Sequence, residues 1–309
     1  MGKTAFLFAG QGAQAPGMGE DFYKEVLSAQ KIYDMGENIK PGVMDTCFRK
    51  EGAELNKTQN AQPCLFLTDL AIAESLKDEG IVPDAVAGFS LGEIPAMAFA
   101  GVMPKEEAFR FVLTRAENMA QQSEKHPGGM AAALKLDRET VDAVCSKFKE
   151  MWAVNYNCPG QIACSGSNEE LDAFIGEIKA LGGRAVKLAV SGAFHTPYMN
   201  EVCVTLEKFL SDCKDLKGPD ITLYSNLTGD KYTSDRATII RNLSSQVCSP
   251  VQWETILRNM WEDGVDTFIE VGAGQTLTGF VKRTLPDAKY YTVNDVAALK
   301  ALGKETVGV

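Results

Sequence analysis

Short apolar runs that end in Gly or a polar turn alternate along this chain with longer segments whose apolar residues recur at helical spacing. The runs "TAFLFAG" (4–10), "AVAGF" (85–89), "TLYSNL" (222–227), "TFIEVG" (267–272) and "KYYTV" (289–293) read as strands. Segments 20–37, 64–80 and 104–120 read as helices, with Pro104 at a helix start and Gly80 at a helix end. That alternation predicts an α/β protein built on a parallel sheet. Between 127 and 193 the rhythm changes to strand 131–136, helix 138–150, strands 152–157 and 161–167, helix 168–182 and strand 184–190. This β-α-β-β-α-β order is the ferredoxin-like split motif. The expected organisation is a large α/β subdomain, residues 1–126 and 194–309, with a small ferredoxin-like subdomain, 127–193, inserted in it. The final "LGKETVGV" (302–309) is expected to fray.

Composition narrows the class. With 309 residues, 45% of them hydrophobic and 23% charged, the chain can bury a sizeable core. No apolar run reaches the ~18 residues that span a bilayer, and the apolar part of "MGKTAFLFAG" is too short for a signal peptide. Gly2 lacks the downstream Ser or Thr of a myristoylation signal. A soluble, cytoplasmic protein without membrane association is expected. Eight cysteines show no CxxC pair, and with two histidines there are few ligands for zinc, so reduced thiols and no metal are expected. A net charge of −10 argues against nucleic acid as a partner.

The candidate chemistry begins at "AVAGFSLGEIPAMAF" (85–99), a strand breaking into a helix around Ser90. The pattern Gly88-Phe89-Ser90-Leu91-Gly92 is GxSxG, and its setting predicts a sharp strand-to-helix turn that exposes a nucleophilic hydroxyl. The Leu91 amide would then help hold an oxyanion. The structural alternative is a plain helix N-cap between two turn glycines. Pro95, just past the first turn, costs one backbone hydrogen bond.

A serine nucleophile needs a base, and the chain offers only His126 and His195. His126 lies in the polar linker "SEKHPGG" and reads as a surface residue, whereas His195 lies in "VSGAFHTPYM", where the inserted unit returns to the main sheet. Arg115 stands in the apolar stripe Ala108, Val112, Ala116, Met119 of one helix. A buried guanidinium needs a partner, so either a protein carboxylate or a ligand carboxylate pairs it, unless it snorkels to the surface. The first βα turn, "FAGQGAQAPGMG", places Gln11 between two glycines and exposes backbone amides to an anion. Its spacing is not GxGxxG, so an oxyanion role is favoured over nucleotide binding.

With these residues in place, the segments "FLFAGQGAQ", "GFSLGE", "TRAENM", "PGQIACSG", "GAFHTPYM", "LYSNLTG", "QVCSPVQW" and "IEVGAGQTL" resemble, in order and along nearly the whole chain, the malonyl-coenzyme A:acyl carrier protein transacylase family. The resemblance implies a parallel-sheet, α/β-hydrolase-like large subdomain. It implies that Ser90 is malonylated, that His195 activates it, that Arg115 holds the free malonyl carboxylate, and that Gln11 and Leu91 supply oxyanion amides. Gln246 matches the position whose backbone carbonyl orients the histidine. The implied reaction is a ping-pong transfer from malonyl-coenzyme A, as substrate, to the phosphopantetheine thiol of holo acyl carrier protein, with no permanently bound cofactor. Phe194 resembles the residue that restricts substituents on the malonyl α-carbon, and Asn157 lies in a segment near the cleft. Docking of an acidic carrier on this acidic chain would need a local basic area, for which Lys282 and Arg283 are candidates. The chain departs from the family's pattern at Phe89, where His is frequent, and at Pro95. An esterase or thioesterase is the rival enzyme, with no need for a buried Arg115, and a carrier-binding scaffold is the rival non-enzyme.

Overall fold

The structure is a computed structural model that describes residues 2–190 and 192–307, with side chains through Lys304. Its strands are β1 (Lys3–Phe8), β2 (Ala85–Gly88), β3 (Gly128–Leu134), β4 (Met151–Cys158), β5 (Gln161–Ser167), β6 (Arg184–Lys187), β7 (Thr222–Leu223), β8 (Val265–Val271) and β9 (Lys289–Val293). Five of them form a sheet in the order β7-β2-β1-β8-β9, parallel throughout. Side chains alternate across it. Phe6 and Phe8 of β1 enter one core with Phe66 and Phe99, while Ala5 and Leu7 enter another with Trp253 and Phe268. Both faces are covered, which is why the strands read as continuous apolar runs.

The other four strands pair antiparallel in the order β4-β5-β3-β6. That is the ferredoxin-like arrangement the central segment predicts. The helices Arg138–Cys145 and Asn168–Ala180 cover one face through Val141, Phe174 and Ile178. The alternate residues Met130, Ala132 and Ala163 face a cleft over the large sheet. All eight cysteines are free thiols; six are buried, and Cys203 and Cys248 are partly exposed.

Several element boundaries move from those the sequence suggests. The segment 20–37 is two helices, Glu20–Glu25 and Leu27–Ile39, broken where Val26 is extended. The helix read from 64 starts at Thr58 and carries Pro63 inside it, because tertiary packing outweighs one missing hydrogen bond. The run 222–227 is a strand only over Thr222–Leu223, since the chain then turns to spend its polar groups on the site. Strand 184–190 stops at Lys187, and Leu188–Val190 line the cleft. The helix Val296–Val307 runs into the segment expected to fray, 302–309, of which 308–309 lie outside the described residues.

The C-terminal ends of β1, β2 and β8 are level, with Phe8 opposite both Gly88 and Val271. The loops that follow them therefore gather at one end of the sheet, where open α/β folds bind ligands.

Candidate active site

Ser90 stands one residue beyond β2, after Phe89, and opens the short helical turn Ser90–Gly92, with φ 52. A non-glycine residue there is held at a cost of roughly 1–3 kcal/mol. Its neighbours explain how. A Cβ on Gly88 would lie 1.9 Å from the Gly92 carbonyl group, and one on Gly92 would lie 2.2 Å from the Phe8 oxygen. Only glycines let the turn close against β1. Gly10 serves the facing loop in the same way, because a Cβ there would lie 2.5 Å from the Phe89 oxygen. Pro95 is the third residue of the helix Glu93–Phe99, which continues directly from the turn Ser90–Gly92.

The Ser90 Oγ is 2.7 Å from His195 Nε2. On the far side of the ring, Nδ1 faces the carbonyls of Gln246 at 2.9 Å and Ser249 at 3.2 Å. Carbonyls only accept, so Nδ1 carries the proton, Nε2 is left as an acceptor, and the serine hydroxyl donates to it. Burial, aided by the nearby Arg115 charge, pushes the His195 pKa down to about 4, which keeps the ring neutral at physiological pH.

Arg115 projects from the helix Lys105–Lys125 and is 1% exposed. Its Nη1 donates to Gln62 Oε1 at 2.7 Å, and its Nη2 donates to Gln246 Oε1 at 3.0 Å and to Ser90 Oγ at 3.2 Å. These partners are neutral oxygens, so of the sequence alternatives neither a direct ion pair nor snorkelling describes it. Burial lowers its pKa to about 10, and it remains a cation at neutral pH.

The Ser90 amide donates to Asn226 Oδ1 at 2.7 Å. It is therefore spent, while Leu91 follows in the first turn, where helix amides have no partner within the helix. Gln11 lines the same cleft, with its side chain donating to Thr58 Oγ1 at 3.1 Å. The cleft has a volume of about 500 Å³ and is also lined by Asn157, Phe194 and Phe89. Asn157 is 5% exposed with its Oδ1 unpaired, a polar atom in want of a donor. The Phe89 ring packs edge-on against Trp253 at 5.3 Å. Lys282 and Arg283 are exposed on the helix Thr276–Thr284, and Arg283 is tied to Gln161 of the small sheet. His126 is exposed and stacks on Tyr198.

A profile of the acyl transferase domain family matches residues 5–305. The malonyl CoA-acyl carrier protein transacylase of Bacillus subtilis (strain 168) is 37% identical over 301 residues, covering 96% of this chain and 94% of its own. The chain belongs to this family. The malonyl CoA-acyl carrier protein transacylase structure from Clostridium perfringens ATCC 13124 superposes with a TM-score of 0.93 at 34% identity, covering 99% of this chain and 98% of its own. A malonyl-transacylase solved in complex with its type II PKS acyl-carrier protein gives a TM-score of 0.93 at 29% identity, covering 98% and 99%.

Sequence reasoning missed four polar residues that the structure packs around this transacylase-family site. Gln62 lay outside the helix read from 64, and Asn226 lay in a run read as a strand. Glu93 stood in the quoted serine stretch, but an acid in a first turn ordinarily reads as a complement to the helix dipole. Asn155, buried with an unpaired Oδ1, lines the cleft two residues before Asn157. The usable signal was the presence of amide side chains in otherwise apolar elements.

Proposed function

We propose that this chain transfers the malonyl group of malonyl-coenzyme A to the phosphopantetheine thiol of holo acyl carrier protein through a malonyl ester on Ser90. The observation that carries the reading is that one buried guanidinium, paired only with neutral oxygens, donates to the hydroxyl that a histidine polarises from the other side. A cation and a nucleophile in contact suit an acyl thioester with a carboxylate one carbon away.

In this mechanism the Ser90 oxygen attacks the thioester carbonyl and His195 Nε2 takes its proton, while the Gln246 carbonyl orients the ring. The Gln11 and Leu91 amides hold the oxyanion. The C–S bond breaks, His195 returns the proton to the departing coenzyme A thiolate, and the ester remains. The carrier's thiol then gives its proton to His195 and attacks the ester, and Ser90 recovers the proton as it leaves. The product supplies malonyl units for fatty-acid or polyketide chain extension. Phe194 crowds the malonyl α-carbon, and Asn157 donates to or orients the acyl or pantetheine chain. Residues 127–193 form the inserted unit that closes the cleft from above.

Among the described residues no helix is long and apolar enough to cross a membrane. We assign the enzyme to the cytoplasm, acting without a resident cofactor or metal, and without nucleic acid or membrane as partner.

The test is intact mass after incubation with malonyl-coenzyme A, then after addition of holo carrier. A malonyl adduct that discharges to the carrier is expected. Accumulation of free malonate instead would favour a hydrolase, and no adduct would favour the scaffold.

The carrier surface is tested separately. Lys282→Glu is expected to raise the apparent KM for the carrier by roughly threefold or more and to leave that for malonyl-coenzyme A unchanged, because rim charges act on encounter with a charged partner. Equal effects on both substrates would remove Lys282 from the docking site. Arg283 is a poorer probe, since its bond to Gln161 also links the two sheets.

A further inference from the structure

Glu93 is 0% exposed, lies directly under the serine turn, and has no part in the mechanism above. Each of its oxygens has a defined donor. Oε1 accepts from the Tyr232 hydroxyl at 2.7 Å and the Asn226 amide at 3.0 Å, and Oε2 accepts from Gln246 Nε2 at 2.8 Å. The second proton of that Gln246 amide goes to the Ser90 carbonyl at 2.6 Å, and Gln246 Oε1 accepts from Arg115.

We propose that Glu93 is a positioning residue for malonyl recognition, acting through Gln246. It fixes the Gln246 amide so that its carbonyl faces Arg115. It also supplies the guanidinium's counter-charge without occupying the guanidinium's carboxylate-binding edge. The inference rests on the reading of Arg115 as the malonyl anchor.

The first part follows from donor and acceptor inventory. A flipped Gln246 would turn its carbonyl toward two acceptors, the Glu93 carboxylate and the Ser90 carbonyl, and its NH₂ toward a guanidinium that only donates. A carboxylate at position 93 therefore joins the Ser90 carbonyl and Arg115 in permitting one orientation. The second part follows from charge. A buried, unpaired guanidinium is costly, and a direct Arg–Glu fork would offset that cost but consume the edge a substrate carboxylate needs. One neutral glutamine between the two keeps the attraction, which a low-dielectric interior weakens little over that distance, and takes one Nη2 proton, leaving the one now on the Ser90 oxygen to turn to a substrate carboxylate.

The experiment compares acyl-enzyme formation from malonyl- and acetyl-coenzyme A in the wild type, Glu93→Gln and Tyr232→Phe. Glu93→Gln is nearly isosteric but removes the charge and sets an amide against the Gln246 amide. It is expected to lower kcat/KM for malonyl-coenzyme A by about tenfold or more, and for acetyl-coenzyme A by less than about threefold. Tyr232→Phe removes a hydrogen bond that holds the Glu93 pKa down without touching Gln246, so it is expected to keep the malonyl preference at high pH and to move the loss of that preference to higher pH than in the wild type.

The wild type offers a readout that needs no variant. Burial pushes the Glu93 pKa up to about 7, while Tyr232 and Arg115, the ionisable groups facing it, titrate well above that, and His195 lies near 4. The malonyl-to-acetyl preference should therefore fall as pH drops from 8 toward 5.5, and Glu93→Gln should abolish that dependence. Equal losses on both substrates, or an unchanged preference, would overturn the role of Glu93. A wild type that forms no malonyl ester would overturn the functional reading and this inference with it.

Discussion

Ser90→Ala is expected to leave no malonyl adduct on the protein and to reduce transfer to the carrier by about 10⁴-fold or more. In the proposed mechanism the substitution removes the attacking oxygen, and with it only the side-chain contacts to His195 and Arg115. The glycines at 88 and 92, the contact with β1 and the Asn226 clasp on the residue-90 amide all involve backbone or other side chains. The turn should keep its shape and the melting temperature should change little. His195→Ala is expected to lose nearly as much, and the double variant little more, because nucleophile and base act as one unit. The outcome that defeats the mechanism is a Ser90→Ala protein that still takes up malonyl mass, since that places the ester on another residue. A variant that loses the adduct only because it unfolds is recognised from its melting curve.

The serine turn was readable in the sequence because its geometry is local. Two glycines around a serine, a strand before and a helix after, lie within the fifteen residues 85–99, and backbone sterics do the rest. Arg115 was conspicuous for the opposite reason, as a charge in an apolar stripe. What surrounds it was not readable. Gln62, Glu93, Asn226 and Gln246 come from four separate segments, and the pattern of one segment carries no trace of a partner 153 residues away, as with Gln246 and Glu93. The resemblance identified Gln246 for its carbonyl, yet its side chain makes three further contacts, to Arg115, Ser90 and Glu93. The fold was legible for a related reason. Alternating apolar runs report which faces are covered, whereas the shortening of strand 222–227 depends on where Asn226 finds its acceptors, Gly88 O among them, across the sheet end.

Arg115→Ala is expected to lower kcat/KM for malonyl-coenzyme A by about 10²–10³-fold, in line with the roughly 2–5 kcal/mol lost when one partner of a buried charge pair is truncated. For acetyl-coenzyme A little should change. The acetyl group presents no carboxylate, and the hydroxyl, imidazole and amides that act on its thioester remain. The preference for malonyl should therefore collapse, which distinguishes an anchor from a residue that merely supports the serine. Arg115→Lys separates charge from shape. A single ammonium cannot bond Gln62 and Gln246 in their present positions and also meet a carboxylate in a planar fork, so it should recover only part of the loss. The 3.2 Å contact between Nη2 and the Ser90 oxygen adds a second consequence. In the proposed mechanism the guanidinium that would bind the carboxylate also touches the nucleophile, so a bound malonyl group would be drawn toward the reacting oxygen, and truncation should cost kcat as well as KM. An Arg115→Ala enzyme that keeps its preference for malonyl would show that the carboxylate is held elsewhere in the cleft, with Asn155 and Asn157, whose side-chain NH₂ groups can donate, as the next residues to test.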